Sequence, residues 1–287
     1  MKDIRSIAPM FGNKPYQVHA QHALPILVRQ AITGETMFYS DLALELGMAN
    51  ARNLNVVLGS IGTTLEMLSK SLKFDIPPIQ CLVVNKQTGL PGEGIGWFIT
   101  KKDFSKLSRT QKRIIVETKL SDIFLFKKWE EVLHALNLEV FKEDYNDLIS
   151  RASRRGGESD NHKDLKDYIL KNPQMFKLKG NNLKGLKEYP LPSGDFLDVS
   201  FLSKSEWVGI EAKSSISEDA DLVRGLFQAV KYYSVMEAVN NVERMNKQIR
   251  VILVVEGELP KRLIPMKNTL GVEVIELRRT SKKKDFN

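Results

Sequence analysis

A chain of 287 residues with 43 Lys plus Arg, 35 Asp plus Glu and one cysteine has the length of two ordinary domains. Its 42% apolar and 27% charged residues exclude the disordered and collagen-like classes. Cys81 alone excludes an internal disulfide framework and any multi-cysteine zinc site. The longest purely aliphatic run, Val251 to Val255, falls far short of a membrane span, and Lys2 and Arg5 have no long apolar stretch behind them. The expectation is therefore a cytoplasmic protein with no membrane segment and no secretion signal. The formal charge of +8 favours an anionic partner, because lysine and arginine attract phosphates. Residues 1–150 carry 18 basic and 16 acidic side chains and residues 151–287 carry 25 and 19, so most of the excess lies in the second half, part of it in the tail from Arg278 to Lys284.

Val18 to Ile32 reads as a helix with Pro25 as a candidate kink. Ser40 is placed to cap a short helix that Gly47 ends. From about Arg52 to Leu72 the apolar positions Leu54, Val57, Leu58, Ile61, Leu65 and Leu68 recur at three- and four-residue steps, a long helix. Pro77 and Pro78 stop it. Cys81 to Val84 reads as a short strand, Lys86 to Gly89 as a turn and Gly94 to Ile99 as the returning strand. Two helices fill Lys102 to Ala135. Helix, short helix, long helix and β-hairpin is the order of a winged helix-turn-helix. In that arrangement Asn50, Arg52 and Asn53, at the start of the long helix, can meet bases and phosphates; alternatively they cap the helix and face water. The three tryptophans, Trp97, Trp129 and Trp207, read as core anchors.

The segments Phe38 to Ala43, Gly47, Ile76 to Val84 and Gly89-Leu90-Pro91 resemble the winged-helix domain of the DNA alkyltransferase and alkyltransferase-like proteins. That family's reactive sequence is Pro-Cys-His-Arg, whereas Pro78-Ile79-Gln80-Cys81 here is followed by neither His nor Arg. The departure removes the groups that would activate a thiolate. The resemblance implies DNA binding without alkyl transfer, and Cys81 reads as a packing residue.

Arg151 to Gly157 combines small residues, like charges and two glycines, and marks the best boundary. The expected organisation is a winged-helix-like DNA-binding domain over 1–100, a helical connector over 101–156 and a second domain over 157–287. In that domain Lys163 to Leu170 reads as a helix closed by Asn172-Pro173, with Glu158 and His162 one turn apart at its start. Glu188 to Asp195 reads as an irregular stretch and turn. In the strand Phe196 to Phe201, Leu197, Val199 and Phe201 share one face while Phe196, Asp198 and Ser200 share the other. An acid in mid-strand needs a reason. Asp195 is most simply a turn residue, though it could compete with Asp198. After a turn at Ser203 to Glu206, Trp207 to Ser214 is a second strand with Glu211 and Lys213 on one face. Two carboxylates on neighbouring strands repel, a penalty that Mg²⁺ or Mn²⁺ would remove. A lysine beside them can position or deprotonate a water. Solvated side chains on an edge strand are the competing reading.

Asp198, a gap of twelve residues, then Glu211-Ala212-Lys213 resembles the core motif of the PD-(D/E)xK nuclease superfamily. Arg224, Gln228 and Tyr232, each one helical turn apart, resemble an element downstream of that core. The likeness spans about Gly157 to Leu277. It implies an α/β fold, a C-terminal mixed β-sheet flanked by helices in the restriction-endonuclease manner, preceded by the α+β winged-helix domain. It also implies a metal-dependent DNA nuclease that leaves a 5′-phosphate, in restriction, phage defence or repair. Asp198, Glu211 and Glu158 would hold Mg (or Mn), Lys213 would serve the nucleophilic water, Gln228 would assist, and Arg224 and Tyr232 would reach DNA. Cutting both strands would favour a homodimer with two active sites. A DNA-binding regulator with an inactive nuclease-like domain, or an RNA nuclease, are the rival readings.

Overall fold

A computed structural model describes residues 8–141, 145, 149–150, 160–180 and 183–278. The chain is mixed α/β and divides into two compact units. The first takes the described residues up to 141 together with Ile264–Gly271, and the second takes the rest. The boundary expected at Arg151 to Gly157, and with it Glu158, lies outside the described residues.

In the first unit α1 (Pro15–Thr33) opens on a proline, whose fixed φ suits the first helical position, and ends at Gly34 with φ 78°. Then come β1 (Met37–Phe38), α2 (Tyr39–Glu45) and α3 (Leu54–Leu72). The apolar stripe of α3 is buried as its periodicity requires: Leu54, Val57, Ile61, Leu65 and Leu68 are at most 2% exposed. The expected hairpin does not form. Cys81 lies within a 3₁₀ turn (Ile79–Leu82), and the two-residue β2 (Val83–Val84) pairs parallel with β1. Gly94 to Ile99 is a helical turn leading into α4 (Gly96–Ile99). Pro91 and the glycines at 92, 94 and 96 provide little side-chain surface for a strand to pack. A Cβ at Gly96 would lie 2.5 Å from that of Phe104, so the turn is fixed by close packing. As a result Trp97, expected in the core, points outward and is 89% exposed, whereas Trp129 is 2% exposed.

Residues 101–141 of the segment expected as a connector instead belong to this unit. Its α5 (Arg109–Leu125) begins with a capping box, in which Ser108 Oγ accepts from Gln111 N–H and the Gln111 side chain accepts from Ser108 N–H. Val132 and Leu133 of α6 (Trp129–Ala135) join its core. The short helix of residues 264–269 also belongs here. Arg29 grips Glu45 through two hydrogen bonds of 2.8 and 2.9 Å, Asn268 donates to Glu45 at 2.7 Å, and Gln30 donates to the Asn268 carbonyl at 3.0 Å.

The second unit is built on α7 (Asp160–Lys171), β3 (Lys184–Pro190), β4 (Phe196–Leu202), β5 (Glu206–Lys213), α8 (Asp219–Val242), β6 (Gln248–Glu256) and β7 (Glu273–Leu277); the 264–269 helix is thus α9. The sheet order is β3-β4-β5-β6-β7, antiparallel over the first three strands and parallel over the last three. Every residue of β5 is buried, which makes it the central strand. The aliphatic run Val251 to Val255 forms most of β6, as expected for a parallel strand covered on both faces. Helix α7 packs against β3, β4 and β5, and α8 lies across β5 and β6. Of the irregular stretch and turn expected over Glu188 to Asp195, Glu188 to Pro190 instead ends β3, a largely exposed edge strand, and the turn follows over Leu191 to Asp195.

One expectation about faces is corrected. Val199 and Phe201 pack in the core that contains Leu165 and Ile169 of α7. Leu197 does not join them; a Cβ built on Gly209 would meet the Met236 sulfur of α8 at 2.8 Å and the Leu197 side chain at 3.1 Å. Alternation along β4 therefore breaks at Asp198. Directly across, Glu188 has φ 50°, a left-handed residue that locally disturbs the ladder.

Candidate active site

The break at Asp198 lies at the end of the β4–β5 ladder, whose last pair is Val199 with Ile210. Its carboxylate bridges elements: Oδ2 accepts from the Ala212 backbone N–H at 2.7 Å, and Oδ1 lies 3.2 Å from His162 Nε2 and 3.8 Å from Lys166 Nζ, both on α7. An acid in mid-strand is tolerated because its oxygens are paired.

Glu211 and Lys213 follow on β5, two residues apart and on one face. Glu211 is 4% exposed, and Lys213 donates to its Oε1 at 2.6 Å. Burial, then the charge of Asp198, push the Glu211 carboxyl from 4.5 up to about 7, opposed by Lys213. This is what two carboxylates in one desolvated place must do. Lys213 Nζ also donates to Gln228 Oε1 at 3.2 Å, and Gln228 Nε2 donates to the Tyr232 hydroxyl at 3.1 Å. One helical turn separates Gln228 from Tyr232, so α8 lays a polar relay onto the lysine. Close approach is permitted by Gly225: a Cβ there would lie 2.8 Å from Lys213 Cε.

The structure thus links Glu211, Lys213, Gln228 and Tyr232 in one hydrogen-bonded chain against α8, while Asp198, held by α7 and the Ala212 N–H, is near enough for its charge to act on Glu211. Tyr232, expected to reach DNA, is instead buried behind Gln228, and its hydroxyl is raised in pKa by burial and by Glu211. Arg224 is half-buried and pairs with Asp221 at 2.9 Å. Asp195 lies in the turn, where Lys231 at 2.7 Å and Ser193 at 2.6 Å hold its carboxylate below the usual carboxylate range. In the first unit Asn50, Arg52 and Asn53 are exposed at the start of α3, with the Asn50 side chain accepting from Arg52 N–H at 3.0 Å. Cys81 is fully buried, and burial pushes its thiol up to about 12.

Lys166 was not foreseen. It is 5% exposed and pairs with Glu188 beside Asp198. Its signal was available, since it stands four residues after His162 and therefore on the same helical face.

Among the described residues no group of three or more His, Cys, Asp and Glu side chains is arranged to hold a metal. The two carboxylates are nevertheless a fitting donor set for Mg²⁺, which takes one or two carboxylates and keeps several waters. The raised Glu211 pKa marks the unfavourable negative charge that such an ion would offset. No protein-family model, curated protein or solved structure matches the chain. No helix among the described residues is long and apolar enough to cross a membrane.

Proposed function

We propose that the second unit is a metal-dependent phosphodiesterase acting on DNA. The observation that carries this reading is the buried Glu211–Lys213 pair with Gln228 behind the lysine, next to an Asp198 carboxylate whose charge acts on Glu211. Asp198 and Glu211 would hold Mg²⁺ or Mn²⁺, which supplies a Lewis acid for a phosphoryl oxygen and a lowered pKa for a bound water. Lys213 Nζ, held between Glu211 and Gln228, directs an N–H at the water or at a phosphate oxygen as charge builds there. Gln228, itself tied to the Tyr232 hydroxyl, helps to hold that lysine in place. The Ala212 N–H fixes one oxygen of Asp198. The net positive charge of +8 suits a polyanionic substrate, and the exposed Asn50, Arg52 and Asn53 would bind DNA.

The test is incubation of supercoiled and linear DNA, and separately of single-stranded and structured RNA, with pure protein and Mg²⁺ or Mn²⁺. Nicking or linearisation of DNA that disappears in Lys213→Ala and Asp198→Asn supports the reading. Protein that shifts DNA in a gel but leaves it intact under every condition would favour a non-enzymatic DNA-binding regulator. Cleavage confined to RNA would replace the substrate.

A further inference from the structure

The first unit contains a buried amide with nothing to bind. Gln80 is 3% exposed, yet among the described residues neither its Nε2 nor its Oε1 has a hydrogen-bond partner. Burying a donor and an acceptor unpaired is costly, and native structures rarely do it without a reason. Gln80 sits where two cavities adjoin. The larger, about 880 Å³, is walled by Leu65, Ile76, Pro78, Leu125 and Phe126; the smaller, about 100 Å³, reaches Tyr39 and Gly59. Gln80 and Phe98 line both.

Helix α3 is shaped around this amide. Glycine inside a helix is destabilising, and α3 has two, Gly59 and Gly62. A Cβ at Gly62 would fall 2.2 Å from Gln80 Nε2 and 2.7 Å from the Phe98 ring, while Gly59 faces open space. One glycine thus admits the amide and the other leaves room beside it. Phe98 belongs to the four-residue α4 and is only half-buried, so it is the part of the wall that can turn aside.

We propose that this cavity is a binding site for a small neutral molecule with a cis-amide edge, that is, a lactam or primary carboxamide. Such an edge carries one donor beside one acceptor and pairs with both atoms of Gln80 once Phe98 moves aside to open them to the cavity, while Leu65, Ile76 and Phe126 cover the rest of the ring. The lining disfavours an anion: its two lysines, Lys70 and Lys119, are outnumbered by Glu66, Asp75 and Asp122, and Lys119 is already paired with Asp122 at 2.8 Å. The inference is independent of the chemistry in the second unit.

The test is saturation-transfer NMR on the intact protein with 2-piperidone, uracil and nicotinamide, and with N-methyl-2-piperidone as the analogue that lacks the donor. The expected result is binding of 2-piperidone that is at least about tenfold weaker for the N-methyl compound and is lost in Gln80→Leu. The same substitution should raise the melting temperature without ligand, because it removes an unpaired buried amide. If the two piperidones bind equally, or if no member of the panel binds, the assignment is overturned. The N-methyl comparison uses only the native protein, so the outcome stands even if Gln80→Leu fails to fold.

Discussion

Glu211 gives the most quantitative handle on the site. Its carboxyl is raised from 4.5 to about 7 in the folded protein. Below pH 4.5 it is protonated in both the folded and unfolded states and imposes no penalty. As pH rises the unfolded chain ionises first, so the stability present at low pH is lost progressively until about pH 7 and stays lost above it. A displacement from 4.5 to about 7 corresponds to about 3 kcal/mol, an order-of-magnitude figure, at 1.36 kcal/mol per pH unit. Glu211→Gln keeps the shape and can still accept from Lys213, but does not ionise. The difference in thermal midpoint between Glu211→Gln and native protein, measured in EDTA from pH 4 to pH 8.5, should grow with pH and level off above 7. It should reach at most roughly 5–10 °C for a protein of this size. Taking the difference cancels every other titrating group that the substitution leaves alone. A difference that is flat with pH, or that shrinks as pH rises, would refute the claim that Glu211 is held uncomfortably charged.

At pH 8, saturating Mg²⁺ should raise the thermal midpoint of the native protein and leave that of Asp198→Asn/Glu211→Gln unchanged; calorimetry checks this, and an equal gain in both would remove the ion from the site. Lys213→Met should lower the DNA cleavage rate by at least about a hundredfold while leaving gel-shift affinity within about twofold, read from single-turnover kinetics and titration. Gly225→Ala places a methyl against Lys213 Cε and should reduce that rate even though alanine is the better helix former. Arg52→Ala should weaken DNA binding uniformly across sequences and flatten the salt dependence by about one unit. Cys81, buried with its thiol near 12, should resist iodoacetamide at pH 8 in the native protein and react once the protein is unfolded.

The part of the site that alternation governs was readable in the sequence. Glu211 and Lys213 share a face because a strand has a two-residue period, and Gln228 and Tyr232 share one because a helix brings residues four apart together. Asp198 was readable as an acid out of place in an apolar strand, but not the reason it is tolerated. That depends on Ala212 N–H and on His162, 36 residues away in sequence. β3 went unrecognised because Lys184 to Glu188 has no apolar alternation; as an exposed edge strand it needs none. Gly94 to Ile99 was misread because a short run of small and apolar residues fits a strand or a turn equally well until Phe104 closes over Gly96. Membership of α9 in the first unit was illegible, since it depends on Asn268 meeting Gln30 and Glu45 across more than 220 residues of chain.

The account is tested most directly by a crystal of the protein grown at pH 8 and soaked in Mn²⁺, with data collected at the manganese edge. The expected result is one anomalous peak shared by the Asp198 and Glu211 carboxylates, with the Lys213 ammonium beside it. Full-occupancy Mn²⁺ elsewhere on the protein, with no peak between those two carboxylates, would contradict it.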